Sequence, residues 1–490
     1  MTRGPLLVLA GAVALLVAIL ALAVGATIAD SGPGGDAAQL VPASALAFAR
    51  LSTDPDDPDA RRLARLAPRI PGYLRLRDAA LTAVSPAPGA FDLRRDVRPW
   101  LGDEAAVALV DLGGGRYGSL VIAQVRDRPR AEALLQRVAG SRPAARYGTT
   151  VVRRFGGNAA AFVRGFLVAG PELAVQRSID AARGDAPSLG RSRAFQRALE
   201  GSRRPAEGYV SARGLRARGG VARLLDHPRL RALGAAAGAD ARSLHVRVRS
   251  TGTGGEQFRP TLAARVPTGA VALVAAPDLG RAAAATQRAG AGAALDAARE
   301  WLREGAAVDL DRDLLGKLGG GFAAWLAPGE AAPVIGLAAH TGDPDGLRVA
   351  LARLQDPIAR LLAQDAEALP VFTAREIAGA DAYTLDAGVG FQPTYAIAGE
   401  TLVLATSPSA VEAFLDRRGP RLESTRAFRA AVPDVPRRVE SLGFFDVRQL
   451  LTLGEQTGLT AEDLRPVHAA SAVIQREEDD TTAELFFEIP

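Results

Sequence analysis

Two stretches of this chain repeat, in the same order, and that ordered repetition limits the folds open to it more than any other feature. Phe91-Asp92-Leu93-Arg94-Arg95-Asp96 returns 217 residues later as Val308-Asp309-Leu310-Asp311-Arg312-Asp313. Arg193-Ala194-Phe195 returns 233 residues later as Arg426-Ala427-Phe428. Matched order over so long a span predicts tandem copies of one domain, over residues 40–264 and 265–490. A chain of 490 residues is also too long for one core and suits two or three domains.

Each copy opens on a proline followed by an apolar strand, Val41-Pro42-Ala43-Ser44-Ala45 and Val266-Pro267-Thr268-Gly269-Ala270. The Asp-Leu-x-Arg-Asp phrase then reads as a short helix running to Gly102 or Gly319, each taken as a glycine C-cap. Strands follow at Ala105–Val110 and Leu120–Val125, and at Phe322–Leu326 and Val334–Ala338. Acid or proline starts a helix at Asp127 and Pro129, and at Asp343 and Pro344. Leu347, Leu351, Leu354, Ile358 and Leu361 recur at helical spacing in the second. Three further strands are predicted in each copy: Thr149–Arg153, Ala159–Val163 and Phe166–Ala169, then Ala382–Leu385, Thr394–Ala398 and Thr401–Ala405. Phe195 and Phe428 head equivalent i, i+3, i+4 apolar triplets, which predicts equivalent core positions. The copies close on hairpins, Leu244–Arg249 with Thr261–Val266 and Ala472–Gln475 with Ala483–Ile489, with Glu477-Glu478-Asp479-Asp480 as a polar tip. Strands joined by tight turns, with helices inserted in pairs, indicate an α+β fold in which helices pack on antiparallel sheets.

Leu6–Ile28 is 23 residues without a charge. At about 1.5 Å per residue it reaches roughly 34 Å, enough for a hydrocarbon core of about 30 Å. Arg3 precedes it and Asp30 follows, so residues 1–5 are expected in the cytoplasm and the bulk of the chain outside a plasma membrane crossed once. Ala21-Leu22-Ala23 and Ala23-Val24-Gly25 keep open the alternative of a cleaved signal peptide, although its apolar region is usually only about 7–15 residues. Residues 29–39, which include Ser31-Gly32-Pro33-Gly34-Gly35-Asp36, read as a flexible linker.

These phrases, from the Val-Pro-x-x-Ala opening to the Arg-Ala-Phe helix, resemble in their order the domain of unknown function 3352 family of exported actinobacterial proteins. The resemblance covers residues 40–490 and implies a membrane-anchored extracytoplasmic protein with no assigned activity. It brings no catalytic residues with it.

The residues themselves exclude much chemistry. Absence of cysteine removes disulfides, thiolate nucleophiles and cysteine-ligated metals. The net charge of +5 comes from arginines interleaved with 54 acids, without the one-sided basic face and stacking aromatics of a nucleic-acid binder. No Gly-x-Ser-x-Gly elbow is present, and Lys317, the only lysine, has Leu314 where a Ser-x-x-Lys motif needs serine. Gly316-Lys317 ends like a phosphate loop, yet Asp311 and Leu318 occupy the positions of its first glycine and its Ser/Thr. Gly290-x-Gly292 lacks a third glycine. His227, His245, His340 and His468 form no metal-binding spacing.

Two acidic groupings remain. Asp54, Asp56, Asp57 and Asp59 are the calcium candidate, set against a solvated loop, because they lack the glycine and distal glutamate of the calcium-loop signature. Asp92/Asp309, Arg95/Arg312 and Asp96/Asp313 recur in both copies and read as helix caps and surface pairs before ligand groups. No catalytic, cofactor or metal residues are assigned. The sequence therefore points to a non-enzymatic binding or scaffolding protein of the envelope, its partners being the membrane through Leu6–Ile28 and an envelope protein or lipid. The alternatives are a carrier of lipid or another apolar ligand in a groove, and a carboxylate-dependent hydrolase. Protease added to intact protoplasts should trim the chain to a small membrane-embedded fragment; full protection of the large domain would place it in the cytoplasm instead.

Overall fold

Alternation builds the sheets. In the strand Leu101–Gly113, Ala106, Ala108 and Val110 are buried while Ala105, Val107 and Leu109 are half-buried, the period of two that a pleated strand imposes. The computed structural model describes residues 37–490 except 55, 70–92, 141–142, 156, 201, 203–204, 218–228, 287–291, 331, 363–368, 389 and 457–463. The described chain is α+β with antiparallel sheets and divides into two units, residues 37–254 with 477–490, and residues 255–476. Leu6–Ile28 lies outside the described residues, and among those described no helix is long and apolar enough to cross a membrane.

The first unit contains β1 (Ala45–Ser52), β2 (Leu101–Gly113), β3 (Arg116–Val125), β4 (Ala145–Tyr147), β5 (Thr150–Phe155), β6 (Asn158–Val163), β7 (Phe166–Pro171), β8 (Ala206–Ser211), β9 (Ala232–Ala239) and β10 (Ser243–Thr251). Their antiparallel order is β4-β5-β6-β7-β3-β2-β1-β8-β9-β10. The second unit contains β11 (Ala272–Ala276), β12 (Leu318–Ala327), β13 (Val334–Thr341), β14 (Phe372–Ile377), β15 (Ala380–Leu385), β16 (Thr394–Ala398), β17 (Thr401–Ala405), β18 (Ser441–Asp446) and β19 (Ala469–Glu477). Their order is β14-β15-β16-β17-β13-β12-β11-β18-β19.

The last strand, β20 (Asp480–Glu488), goes with the first unit, where it pairs along the whole of β10. A charged clasp holds it there. Arg197 Nε reaches Asp480 at 2.7 Å, Arg249 reaches Glu477 at 2.6 Å, and the Gly252 amide donates to Asp480 at 2.9 Å. Glu478 and Asp479 form an exposed turn, as expected of the polar tip, while Asp480 is buried.

Helix starts follow their caps. Asp127 accepts from the Arg130 amide at the head of Arg128–Ala139, and Asp343 accepts from the Gly346 amide at the head of Pro344–Leu362. The glycine C-caps are corrected: the Asp-Leu-x-Arg-Asp phrase forms a single wide helical turn, Leu93–Val97 or Leu310–Leu314, and Gly102 and Gly319 already lie inside β2 and β12. The hairpin expected between Leu244–Arg249 and Thr261–Val266 is also corrected. Residues 261–266 make turns, and β10 pairs instead with β9. The linker expected over 29–39 gives way at Ala37 to a buried 3-10 turn, Ala37–Leu40, whose first amide donates to Glu104 at 3.0 Å.

In the first unit one sheet face is sealed. Phe48, Ala108, Val110, Leu120, Ile122 and Val168 pack there beneath Val175 and Ile179 of the helix Glu172–Arg183. In the second unit Trp325 stacks on Phe414 at 5.1 Å. Phe428 packs against Phe444 at 5.2 Å and is buried, whereas Phe195, edge-on to Tyr209 at 5.3 Å, is half-buried. Phe428→Ala should therefore cost about 3–5 kcal/mol and Phe195→Ala distinctly less. Urea denaturation of the two variants checks this, and equal losses would mean equal burial.

Candidate functional site

The acid and base residues repeated in both copies are structural in their contacts. Asp92 lies outside the described residues, and Asp309 caps its turn by accepting from the Arg312 amide at 2.9 Å. Asp96 is buried and meets Arg95 at 3.1 Å and Arg137 of the following helix at 3.0 Å. Asp313 meets Arg312 at 2.8 Å. The Arg312 guanidinium, the Asp309 amide and the charge of Arg353 hold its carboxyl well below the usual range. In the first copy the pairing ties the turn to the next helix through Arg137, and in the second it closes the turn on itself.

The calcium candidates do not converge. Asp54 accepts from the Asp56 amide at 2.8 Å, Asp57 caps the helix Pro58–Leu66, and Asp59 pairs with Arg62 at 2.9 Å. Among the described residues no three acids or histidines are grouped to hold a metal. Lys317 pairs with Asp343, and His340 lies 3.3 Å from the Thr261 hydroxyl. His227 and Gly290 lie outside the described residues.

Two constellations escaped the sequence reading. Ser243 Oγ lies 3.1 Å from His245 Nε2, which lies 2.9 Å from Asp240 Oδ2. Serine and acid thus share one ring nitrogen, whereas a catalytic relay needs the acid on one nitrogen and the nucleophile on the other. Arg50 on β1 pairs with Glu207 on β8 and lies 3.9 Å from Glu104 on β2. Ser202 adds a hydrogen bond to Glu207 at 3.0 Å. One guanidinium engages both carboxylates, so neither is poised as a lone acid or base.

The feature common to both units is apolar. In the second, the register carries one row across six strands, Val274, Ala324, Leu337, Leu404, Tyr395 and Tyr383. Cross-strand partners share a face, so this row and the neighbouring Leu326 and Ile335 line one side of the sheet. Helices Leu279–Thr286, Gly292–Ala306 and Pro344–Leu362 contribute Leu279, Trp301 and Ile358 to the same cluster, yet the cover is incomplete. Val274 is 42% exposed and Ile335 58%, and Ala324, Leu337 and Leu404 are half-buried. In the first unit the corresponding row is Ala49, Val107, Val121, Ala169, Ala160 and Arg153. Phe162 and Leu167 extend it beside the helix Arg128–Ala139, and Arg128 lies 5.0 Å over the Phe162 ring. A sheet with a solvated face normally turns polar residues outward; here both faces are apolar and one is only partly covered.

Aromatic rings close the end of the second row. Tyr383 and Tyr395 stack at 5.1 Å, Phe372 lies 6.0 Å from Tyr395, and Gln355 donates to the Tyr395 hydroxyl at 2.6 Å. Burial pushes the Tyr395 hydroxyl up to about 12.

A family model described as "Protein of unknown function (DUF3352)" matches residues 6–476. No curated protein matches the chain. Among solved structures, crystal form III of TP0453 is similar at a TM-score of 0.27 and 8% identity, over 44% of this chain and 80% of that one. Crystal form I gives 0.28 and 8%, over 44% and 79%. Scores this low carry no argument about fold or ligand.

The Tyr395 environment yields a pH test. Its folded value lies above the ordinary 10.0, so its contribution to stability is complete below pH 10 and is lost as the pH rises towards 12. Thermal melts across that range should show the loss, and Tyr395→Phe should remove that component of it. An unchanged alkaline profile in the variant would mean that the hydroxyl is solvated.

Proposed function

We propose that this chain, which belongs to the DUF3352 family of proteins of unknown function, is a non-enzymatic binding protein of the cell envelope. Leu6–Ile28 anchors it in the plasma membrane, and residues 30–490 stand outside the cytoplasm as two copies of one antiparallel-sheet domain. The duplication is supported by strand order, because the pairing sequence around β1 recurs strand for strand around β11. The observation that carries the binding role is the partly covered apolar row in each unit. An apolar strip left open costs solubility, and on a folded domain it marks a surface that something else covers. The acid, base and nucleophile constellations argue against a hydrolase, since each is tied up or wrongly oriented.

The occupant we favour is an apolar surface of another envelope protein. A lipid carrier is the second reading, favoured by the aromatic closure of the row at Tyr383, Tyr395 and Phe372, which would stop an acyl chain at a fixed depth. The test uses the full chain in neutral detergent with a naphthalenesulfonate dye that fluoresces on apolar surfaces. Saturable dye binding is expected, lost in Val274→Asp and Ile335→Asp, which replace exposed side chains and should leave the fold intact. Native mass spectrometry of the same preparation separates the readings: lipid retained through purification supports the carrier, and its absence supports the protein partner. Dye binding unchanged by both substitutions would remove the apolar row as the site.

A further inference from the structure

We infer that the second unit holds an oxyanion site for a phosphate group, built from Arg265, Arg417 and Arg421 beside the Phe414 ring. The inference is independent of the apolar row. Arg265 precedes β11, and its guanidinium carbon lies 4.8 Å from the centroid of Phe414, whose other neighbour is the stacked Trp325. Arg265 is half-buried, and among the described residues no carboxylate or hydrogen-bond acceptor meets its guanidinium. Arg421 is held against it by backbone. Its guanidinium donates to the carbonyls of Arg265 at 2.9 Å, Ala413 at 3.0 Å, and Asp416. Pro267 bridges to Arg421 and the Leu422 amide donates to Val266 at 2.9 Å, so the two segments move as one. Arg417 stands exposed just beyond the helix Pro408–Leu415.

The acids nearby do not neutralise this group. Asp416 accepts from the Arg418 amide at 2.9 Å, and neither it nor Glu412 nor Glu423 makes an ion pair among the described residues. The charges of Arg417 and Arg421, after burial, pull Arg265 below the ordinary arginine value. Three like charges gathered where one is partly desolvated work against folding unless a ligand compensates them.

The first unit shows what the same place looks like without them. Pro42 bridges to Ser188 as Pro267 bridges to Arg421. Leu40, Gly184 and Ser188 stand where Arg265, Arg417 and Arg421 stand, and Leu40 is fully buried. The shared strand order is therefore compatible with uncharged residues at all three positions. Arg421 has spent its Nη1 hydrogens on carbonyls and contributes mainly charge, while a tetrahedral phosphate monoester carries the charge and the oxygens to meet the forks of Arg265 and Arg417 together.

The experiment uses the full chain in neutral detergent and isothermal titration with three probes: inorganic phosphate, dihexanoyl phosphatidic acid and dihexanoyl phosphatidylcholine. Phosphate or phosphatidic acid should bind saturably, and Arg265→Gln and Arg417→Gln should each weaken binding about tenfold or more. Arg154→Gln, which removes an exposed partner of Glu172 in the first unit, should change nothing. Binding of phosphate alone identifies a soluble ligand, and binding of phosphatidic acid in competition with phosphate identifies a lipid headgroup. Arg417 is exposed, so its variant remains informative even if the Arg265 variant misfolds. Failure of both phosphate probes, equal binding by the Arg417 variant, or an equal loss in Arg154→Gln overturns the site. None of these outcomes touches the dye test of Val274 and Ile335.

Discussion

The buried carboxylate of Asp480 ties the end of this chain to its first sheet. β10 would be an open edge without β20, and an open edge is a template for unwanted pairing. Asp480 fixes β20 through the Arg197 guanidinium and the Gly252 amide, both within 2.9 Å. Arg249 also lies 3.5 Å from Asp480, so the buried carboxylate is compensated from two guanidiniums and an amide at once. Pairing of Ser243 with Glu488 also joins residues far apart in sequence, so loop-closure entropy delays it. The first unit can complete its sheet only after the second half of the chain has been made.

Small residues set the character of both sheets. β9 is Ala-Leu-Gly-Ala-Ala-Ala-Gly-Ala, wholly buried, and contributes close strand packing where another fold would contribute bulk. Gly234 sits so near the Ala198 carbonyl that a Cβ there would lie 2.0 Å from its oxygen. Close approach of backbone, rather than large side chains, holds this part of the core, which suits a chain with only 5% aromatics. Many of the few aromatics meet in pairs, Phe195 with Phe48 and Tyr209 in the first unit, Trp325 on Phe414 and Phe428 on Phe444 in the second.

Much of this architecture was legible in sequence because β2 alternates cleanly, because β3, β12 and β13 are apolar runs bounded by turns, and because Asp127 and Asp343 are strong helix caps. β9 was missed because alanine and glycine carry no strand signal, and its absence forced β10 onto the wrong partner, Thr261–Val266. Gly102 and Gly319 misled in the opposite sense, since a glycine after a short helical phrase reads as a cap even when the chain passes straight into a strand. The calcium candidates serve local structure where their contacts are seen: Asp54 accepts from the Asp56 amide, Asp57 caps a helix and Asp59 pairs with Arg62. The apolar row was invisible because it exists only in register: Val274, Leu337 and Leu404 lie on different strands and meet through hydrogen-bonded pairing alone. The arginine group at Arg265, Arg417 and Arg421 was hidden by the same logic, diluted among 59 basic residues and split between segments about 150 residues apart.

Divergence between the two units then becomes informative. Where Arg50 meets Glu207 across β1 and β8, the matching ladder position across β11 and β18 is Ala275 with Leu442. Where the second unit gathers Arg265, Arg417 and Arg421, the first has Leu40, Gly184 and Ser188. The first unit keeps its charge paired inside the protein, on Arg50 and on the clasp around Asp480. The second leaves charge and apolar surface both unmatched, at Arg265 and at Val274 and Ile335. A buried pair serves the fold, because its partners satisfy each other; an unmatched group costs free energy that only an external partner can return. On that physical ground the two units, alike in strand order, differ in where they leave charge and apolar surface unmatched.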